Sequence, residues 1–226
     1  IWSWGDEIVV GFTVGSHDPA GGFHARDRNR PFVGKQARST DGGATWEVAD
    51  TPCRAPSGKG LSANEHMSAA LGIGEPEATD LADCPGGIDF THPDGALMCA
   101  RTGLRAGAVS WFYTSTDRCR SWEGPYRLPS FGQPGVAART DYLVSGPDTC
   151  TLFLTAAKSD GEEGRVFCAR TTDGGRRFGF LSWVGEEPEG YAIMPASVGL
   201  PDGRALAAVR CQEGQRNWID LYRSED

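Results

Sequence analysis

The chain has 226 residues, of which 31 are Gly and 14 are Pro; Gly alone runs at about twice its average usage of roughly 7%, which argues against long helices and coiled coils. Hydrophobic residues make up 39% and aromatic residues 10%, with seven Trp, so the chain is not a disordered one and reads as a globular all-β protein of short strands and tight turns. Lys and Arg number 22 against 30 Asp and Glu, a net charge of −8, which disfavours a nucleic-acid partner, and no apolar run approaches the ~20 residues of a membrane span.

In chain order, no charged-then-apolar signal segment opens the sequence; Ile1-Trp2-Ser3-Trp4 reads instead as the middle of a strand, as expected where a leader has been lost. An Arg-rich loop over 23–30 carries His24 and Asp27. The motif Ser39-Thr40-Asp41-Gly42-Gly43-Ala44-Thr45-Trp46 follows. The interval 51–87 is too long for an ordinary connection and is expected to hold a strand with an Ω-like loop or short helix at a rim. Its Glu65, His66 and Glu77 are read as surface groups ahead of a metal set. His92-Pro93-Asp94-Gly95 and Leu200-Pro201-Asp202-Gly203 both read as strand, Asp-Gly hairpin, strand, ending on Arg101 and Arg210. Between them, Ser115-Thr116-Asp117 to Trp122 and Thr171-Thr172-Asp173 to Phe178 repeat the motif, and Ser224-Glu225-Asp226 starts a fourth copy. The seven Cys contain no CxxC pair, which favours buried free thiols, with at most one disulfide, over a metal site.

The four motif aspartates, Asp41, Asp117, Asp173 and Asp226, are 76, 56 and 53 residues apart. Those intervals fit one four-stranded blade per repeat, with approximate blades over 1–87, 88–136, 137–188 and 189–226. Within each motif the Asp is expected to accept backbone N–H groups, Gly to supply a positive φ, and the Trp or Phe to pin the hairpin into the core. The carboxylates are thereby assigned to structure.

The repeated Ser-x-Asp-x-Gly-x-Thr-Trp pattern resembles the Asp box, or bacterial neuraminidase repeat, of the sialidase superfamily. The resemblance implies a six-bladed β-propeller, of which this chain shows about four blades, with the active site in a central funnel. It also implies a secreted or periplasmic setting, no cofactor, and a glycan or oligosaccharide substrate. Family sialidases hold the substrate carboxylate with three Arg and use an Asp acid/base with a Tyr nucleophile primed by a Glu. By resemblance over 194–210, Arg210 takes the second Arg position, and Met194 stands where the Glu is expected. Asp27, fourteen residues before Asp41, takes the place of the acid, with His24 as a competing proton carrier. The first and third Arg and the Tyr are expected outside these residues.

Independently of the resemblance, inner strands of successive blades should point their starts at one axis: Trp2-Ser3-Trp4, Asp89-Phe90-Thr91-His92, Arg139-Thr140-Asp141-Tyr142 and Tyr191-Ala192-Ile193-Met194. Residues two apart share a strand face, so Arg139 and Asp141 project together, either as sugar-binding groups with Asp89 or as a salt bridge between blades. Asp89 is equally suited to capping a turn. In the charged hairpin over 158–165, Glu163 and Arg165 are candidates for the funnel rim, as are Arg170 and Glu187. Among Trp111, Tyr113, Trp183, Tyr191 and Trp218, one or two are expected to stack on a sugar and the rest to fill the core. The expected function is a sialidase-like glycosidase with catalytic candidates Asp27, Asp89 and Asp141 and substrate contacts from Arg139, Arg165, Tyr191, Met194 and Arg210. The alternative is a non-catalytic carbohydrate-binding propeller.

Overall fold

The computed structural model describes residues 1–21, 25–53, 56 and 81–225. They form four antiparallel sheets. Sheet 1 holds β1 (Trp2–Trp4), β2 (Glu7–Val14), β3 (Val33–Ser39) and β4 (Glu47–Asp50). Sheet 2 holds β5 (Ala96–Arg101), β6 (Ser110–Ser115) and β7 (Glu123–Arg127). Sheet 3 holds β8 (Val136–Gly146), β9 (Thr149–Ala157), β10 (Glu163–Thr171) and β11 (Gly179–Trp183), and sheet 4 holds β12 (Tyr191–Gly199), β13 (Ala205–Glu213) and β14 (Arg216–Arg223). Each is a meander in which sequential strands are hydrogen-bonded neighbours.

Sequential sheets stack face to face. Leu97, Cys99 and Phe112 of sheet 2 pack with Leu152, Leu154 and Phe167 of sheet 3, and Val166 of sheet 3 packs with Ala192 and Val209 of sheet 4. Val9 and Trp2 of sheet 1 meet Ala96, Cys119 and Trp122 around sheet 2. Stacking explains the residue patterns: β5, β6 and most of β9 are buried on both faces and read as continuous apolar runs, whereas β14 alternates between half-buried and exposed. The outer faces of the two end sheets expose Phe12, Val14 and Val48 on one side and Val198, Ile219 and Leu221 on the other, and the four sheets do not close into a ring. The seven cysteines are free thiols. Burial pushes Cys150 up to about 12, far from the thiolate a reactive cysteine needs.

The Ser/Thr-x-Asp motifs form the β3–β4, β6–β7 and β10–β11 turns, and each aspartate spends its carboxylate inside its own turn. Asp41 accepts the Thr45 hydroxyl at 2.6 Å, the Thr45 N–H at 2.9 Å and the Ser39 hydroxyl at 2.8 Å. Asp117 accepts the Ser121 hydroxyl and N–H and the Arg120 N–H, and Asp173 the Thr171 hydroxyl and Arg177 N–H. Asp226 lies outside the described residues. Of the motif aromatics, Phe178 is buried and Trp122 packs 5.4 Å from Trp2. Trp46, expected in the core, is exposed, its indole N–H bonded to the Gly43 carbonyl, and among the described residues no sheet stacks on that face of sheet 1.

The second turn replaces the glycine pair with Arg118 and Cys119, both held at positive φ (57° and 62°), where a side chain costs on the order of 1–2 kcal/mol per residue. Contacts to sheet 1 offset the strain. Arg118 bonds Glu7 at 2.9 Å and Asp94 at 2.6 Å, Arg120 bonds Glu7 at 2.8 Å, and Arg38 bonds Glu7 as well. The Cys119 carbonyl accepts Gln36 Nε2 at 3.0 Å. Glu7, at 11% side-chain exposure, therefore anchors three guanidinium groups from two sheets.

One expected inner strand is absent. Asp89-Phe90-Thr91-His92 forms a turn instead, because the Asp89 carboxylate takes both the Thr91 N–H (2.9 Å) and hydroxyl (2.6 Å). Side chains from neighbouring sheets occupy the free edge of β5. Trp2 Nε1 donates to the Leu97 carbonyl, the Tyr142 hydroxyl accepts the Leu97 N–H, and the Thr140 hydroxyl accepts the Cys99 N–H.

Two outcomes follow. Hydrogen bonds from Thr45 hold the Asp41 carboxyl down at about 2. Burial works against the same effect at Asp117, but hydrogen bonds from Ser121 and Ser115 bring it to about 2 as well. The unfolded chain, near 3.9, binds these protons more readily, so stability present above about pH 4 is lost as pH falls through about 2. Thermal unfolding between about pH 5 and pH 2 is expected to show that loss, and the double variant Asp41→Asn, Asp117→Asn a shallower one; identical slopes contradict the assignment. Separately, Glu7→Ala strands three guanidinium groups and is expected to cost about 2–4 kcal/mol in urea unfolding. A cost below about 0.5 kcal/mol would show the cluster to be surface decoration.

Candidate functional site

In sheets 1, 2 and 3 the aspartate turn closes one end, and the β2–β3, β5–β6 and β9–β10 loops lie at the opposite end. At that opposite end the two complete inner strands, β8 and β12, both leave regular pairing. In β8, Ala138 pairs with Leu154 and Tyr142 with Leu152, so Arg139, Thr140 and Asp141 span a single residue of β9. In β12, Ile193 pairs with Arg210 and Ala196 with Ala208, so Met194 and Pro195 together oppose Val209. Met194 has φ 52°, an uncommon conformation for a side-chain-bearing residue. Bulges of this kind re-aim side chains, and here they place Arg139, Asp141 and Met194 in one region.

The side chains of that region divide into two groups. Arg139 Nη2 bonds Glu163 Oε1 at 2.8 Å, with both side chains largely buried. Asp141 Oδ1 accepts the Ser197 hydroxyl at 2.8 Å and N–H at 3.2 Å, which ties β8 to β12. Arg139 and Asp141 thus pair with other residues rather than with each other. Among the described residues, Arg139 Nη1 and Asp141 Oδ2 are buried and have no hydrogen-bond partner. Burial raises the Asp141 pKa, and the Ser197 bonds oppose that rise, so Asp141 holds a proton more readily than an ordinary Asp.

Beside this pair stands an open cluster. The Arg210 guanidinium lies 5.5 Å from the Tyr191 ring centroid, and its Nη1 is 3.8 Å from Met194 Sδ. Arg210 is exposed and Met194 is 43% exposed, and among the described residues Arg210 contacts no carboxylate. Gly164 holds the two groups together. It is the extra residue of a bulge in β10, and a Cβ there would fall 2.6 Å from the Tyr191 Cβ, so only glycine lets Tyr191 sit against the strand that carries Glu163.

The remaining candidates separate from this region. Asp27 lies in the β2–β3 loop at the same end, where its carboxylate accepts the Asn29 N–H at 2.9 Å in a local turn; His24 lies outside the described residues, as do Glu65, His66 and Glu77. Asp89 is corrected. The Phe90 N–H bonds the Pro147 carbonyl, beyond the far end of β8, roughly 20 Å from Arg139 at ~3.3 Å per residue. Arg165 turns to the outer strand, stacked 4.0 Å from the Trp183 ring centroid and bonded to the Gly185 carbonyl. Glu187 accepts the Ser159 N–H and hydroxyl, and Arg170 bonds Thr151. Trp111 and Tyr113 are fully buried, leaving Tyr191 as the aromatic beside Arg210. Ser197 was not singled out in the sequence; a serine in a β-strand carries no local sign of the carboxylate it meets across two sheets. Among the described residues no three His, Cys, Asp or Glu are placed to hold a metal ion, and no helix is long and apolar enough to cross a membrane.

No family model and no curated protein matches the chain. Among solved structures, it is similar to a protein of unknown function from Dyadobacter fermentans, at 16% identity and TM-score 0.63 over 98% of this chain and 63% of the other. It is also similar to an α-L-arabinofuranosidase from Fusarium graminearum solved with an iminosugar inhibitor, at 17% identity and TM-score 0.52 over 86% and 55%. A third is an α-L-arabinanase from Penicillium chrysogenum complexed with arabinobiose, at 15% identity and TM-score 0.56 over 89% and 57%. The shared feature is the fold, an all-β arrangement of the kind found in propeller enzymes, and the chain spans 55–63% of the length of these structures.

The Asp141 environment gives a signed expectation. A carboxyl whose folded pKa is raised weakens the fold above that pKa and ceases to do so below the unfolded value. Wild type should therefore gain stability relative to Asp141→Asn as pH falls from neutral towards about 4. Ser197→Ala should cost about 1–2 kcal/mol at neutral pH and raise the Asp141 pKa further, read by carboxyl ¹³C NMR. A pH-independent difference, or an Asp141 resonance titrating unchanged in Ser197→Ala, contradicts the geometry.

Proposed function

We propose that this protein is a sialidase-like glycoside hydrolase whose four sheets are blades of a six-bladed ring, acting on the terminal sugar of a glycan or acidic polysaccharide. The observation that carries the reading is Arg210: an exposed guanidinium, backed by Tyr191 and Met194, with no carboxylate against it among the described residues. A guanidinium fork left open in this way suits a carboxylate or paired hydroxyls of a sugar, and the Tyr191 ring offers the apolar face that sugars stack on. Asp141, whose pKa is raised by burial, is suited to general-acid work. Arg139 is held in a buried ion pair with Glu163 in the same region, and Asp27 is a second proton carrier at the same end. The arabinan-related enzymes of similar fold support a glycan substrate.

Met194 counts against a tyrosine-nucleophile mechanism, because a thioether neither accepts a phenolic proton nor stabilises its loss. It favours either a non-sialic sugar handled by Asp141 or a propeller that binds glycans without cleaving them. Assay of the protein on fluorogenic sialosides, arabinosides and other glycosides is expected to show turnover of at least one, with Arg210→Ala lowering kcat/KM by about 10- to 100-fold. Met194→Glu is expected to create or raise sialoside turnover. Glycan binding with no turnover of any glycoside would establish the binding propeller instead, and neither binding nor turnover would remove the carbohydrate reading.

A further inference from the structure

We propose a second, non-catalytic carbohydrate site at the opposite end of the molecule: a cavity of about 540 Å³ between sheets 2 and 3 that takes a neutral sugar residue. The cavity exists because β5 has no inner strand beside it. The segment 84–92 crosses that place without pairing, leaving a space between it, the start of β5, the aspartate turn after β6, and Tyr142 and Val144 of β8. Its volume is in the range of small-ligand sites, roughly 300–1,000 Å³.

The lining selects the ligand. Phe90, Tyr126 and Tyr142 supply aromatic walls, Asp89, His92 and Glu123 are the titratable groups other than Tyr and the buried Cys84, and the lining includes no Lys or Arg. With no cation among the described lining residues, an anionic sugar would enter against two carboxylates, so sialic and uronic acids are disfavoured. Asp89 receives both of its hydrogen bonds from Thr91 on Oδ1, which leaves Oδ2 to accept a ligand hydroxyl. His92 Nδ1 accepts the Asp94 N–H at 3.1 Å; in the neutral ring the proton is then on Nε2, a donor. Carboxylate acceptors, one imidazole donor and aromatic faces match the hydroxyl edges and C–H faces of a pyranose or furanose. A cationic amine would satisfy the carboxylates and rings but would be set against the imidazole N–H. The site stands apart from the Arg210 region and does not depend on hydrolysis there.

Ligand-observed saturation-transfer NMR on the 226-residue protein tests this, with L-arabinose, D-galactose and D-glucose as neutral probes, N-acetylneuraminic acid as the anionic probe and choline as the cationic one. At least one neutral sugar is expected to bind in the millimolar range. Measured in the Arg210→Ala background, so that the other end does not contribute, its affinity should fall about tenfold on adding Glu123→Gln, a surface change that leaves the core intact, and similarly on adding Phe90→Leu. Glycoside turnover at the other end should be unaffected by Glu123→Gln, so the two sites succeed or fail separately. The proposal is overturned if no neutral sugar binds in the Arg210→Ala background, if choline binds in their place, or if sugar binding in that background survives both cavity variants.

Discussion

A small twisted sheet has two faces, and the stacking of one sheet on the next is the constraint from which the rest of this molecule follows. Burying β5, β6 and β9 on both sides removes apolar surface worth on the order of 25 cal/mol per Å², which no single four-stranded sheet could do alone. Stacked sheets must also keep register, because a one-residue slip exchanges the two faces of a strand. The aspartate turns supply that register at one end of the stack, each using a carboxylate to gather hydroxyl and N–H groups from its own turn. Where the glycines of the turn give way to Arg118 and Cys119, the strained backbone is held by the Glu7 cluster, so the local cost is met by contacts between sheets.

With one end of sheets 1, 2 and 3 fixed by aspartate turns, the bulges that shape the candidate site lie at the other. The bulges at Arg139–Asp141, Met194–Pro195 and Gly164 lie there and bring their side chains together from β8, β12 and β10. Two chemical characters result: a sequestered pair in which Asp141 is bonded by Ser197 and Arg139 by Glu163, and an open cluster of Arg210, Tyr191 and Met194. The first holds a carboxyl with a raised pKa beside a buried ion pair; the second presents a cation and an aromatic face to solvent. A site of this composition suits a sugar better than a metal or a nucleic acid.

Much of the fold was legible because the turn motif has a local mechanism: Asp41, Asp117 and Asp173 could be read as turn residues from their neighbours alone. The all-β class and the hairpin at Asp202-Gly203 followed in the same way, whereas Asp94-Gly95 leads into β5 with no strand before it. Asp89 was misplaced because a Thr two residues on competes for its carboxylate, and a turn then replaces the inner strand. Arg165 was misplaced because the extra residue Gly164 breaks the period-two alternation on which its direction was judged. Trp46 was expected inside because the motif pattern is indifferent to whether a neighbouring sheet covers it. Ser197, and the division of Arg139 from Asp141, depend on contacts between strands more than twenty residues apart, to which no local pattern corresponds.

The central claim is that a glycan occupies the region around Arg210, Tyr191 and Met194. The chain has three methionines, of which Met98 is buried in the core and Met194 stands exposed beside Arg210, so methyl-labelled methionine gives a spectrum of three signals that single substitutions assign. Titration with the glycan identified by activity or binding is expected to shift the Met194 methyl resonance saturably while that of Met98 stays in place. Saturable glycan binding that leaves the Met194 signal unmoved would contradict the account.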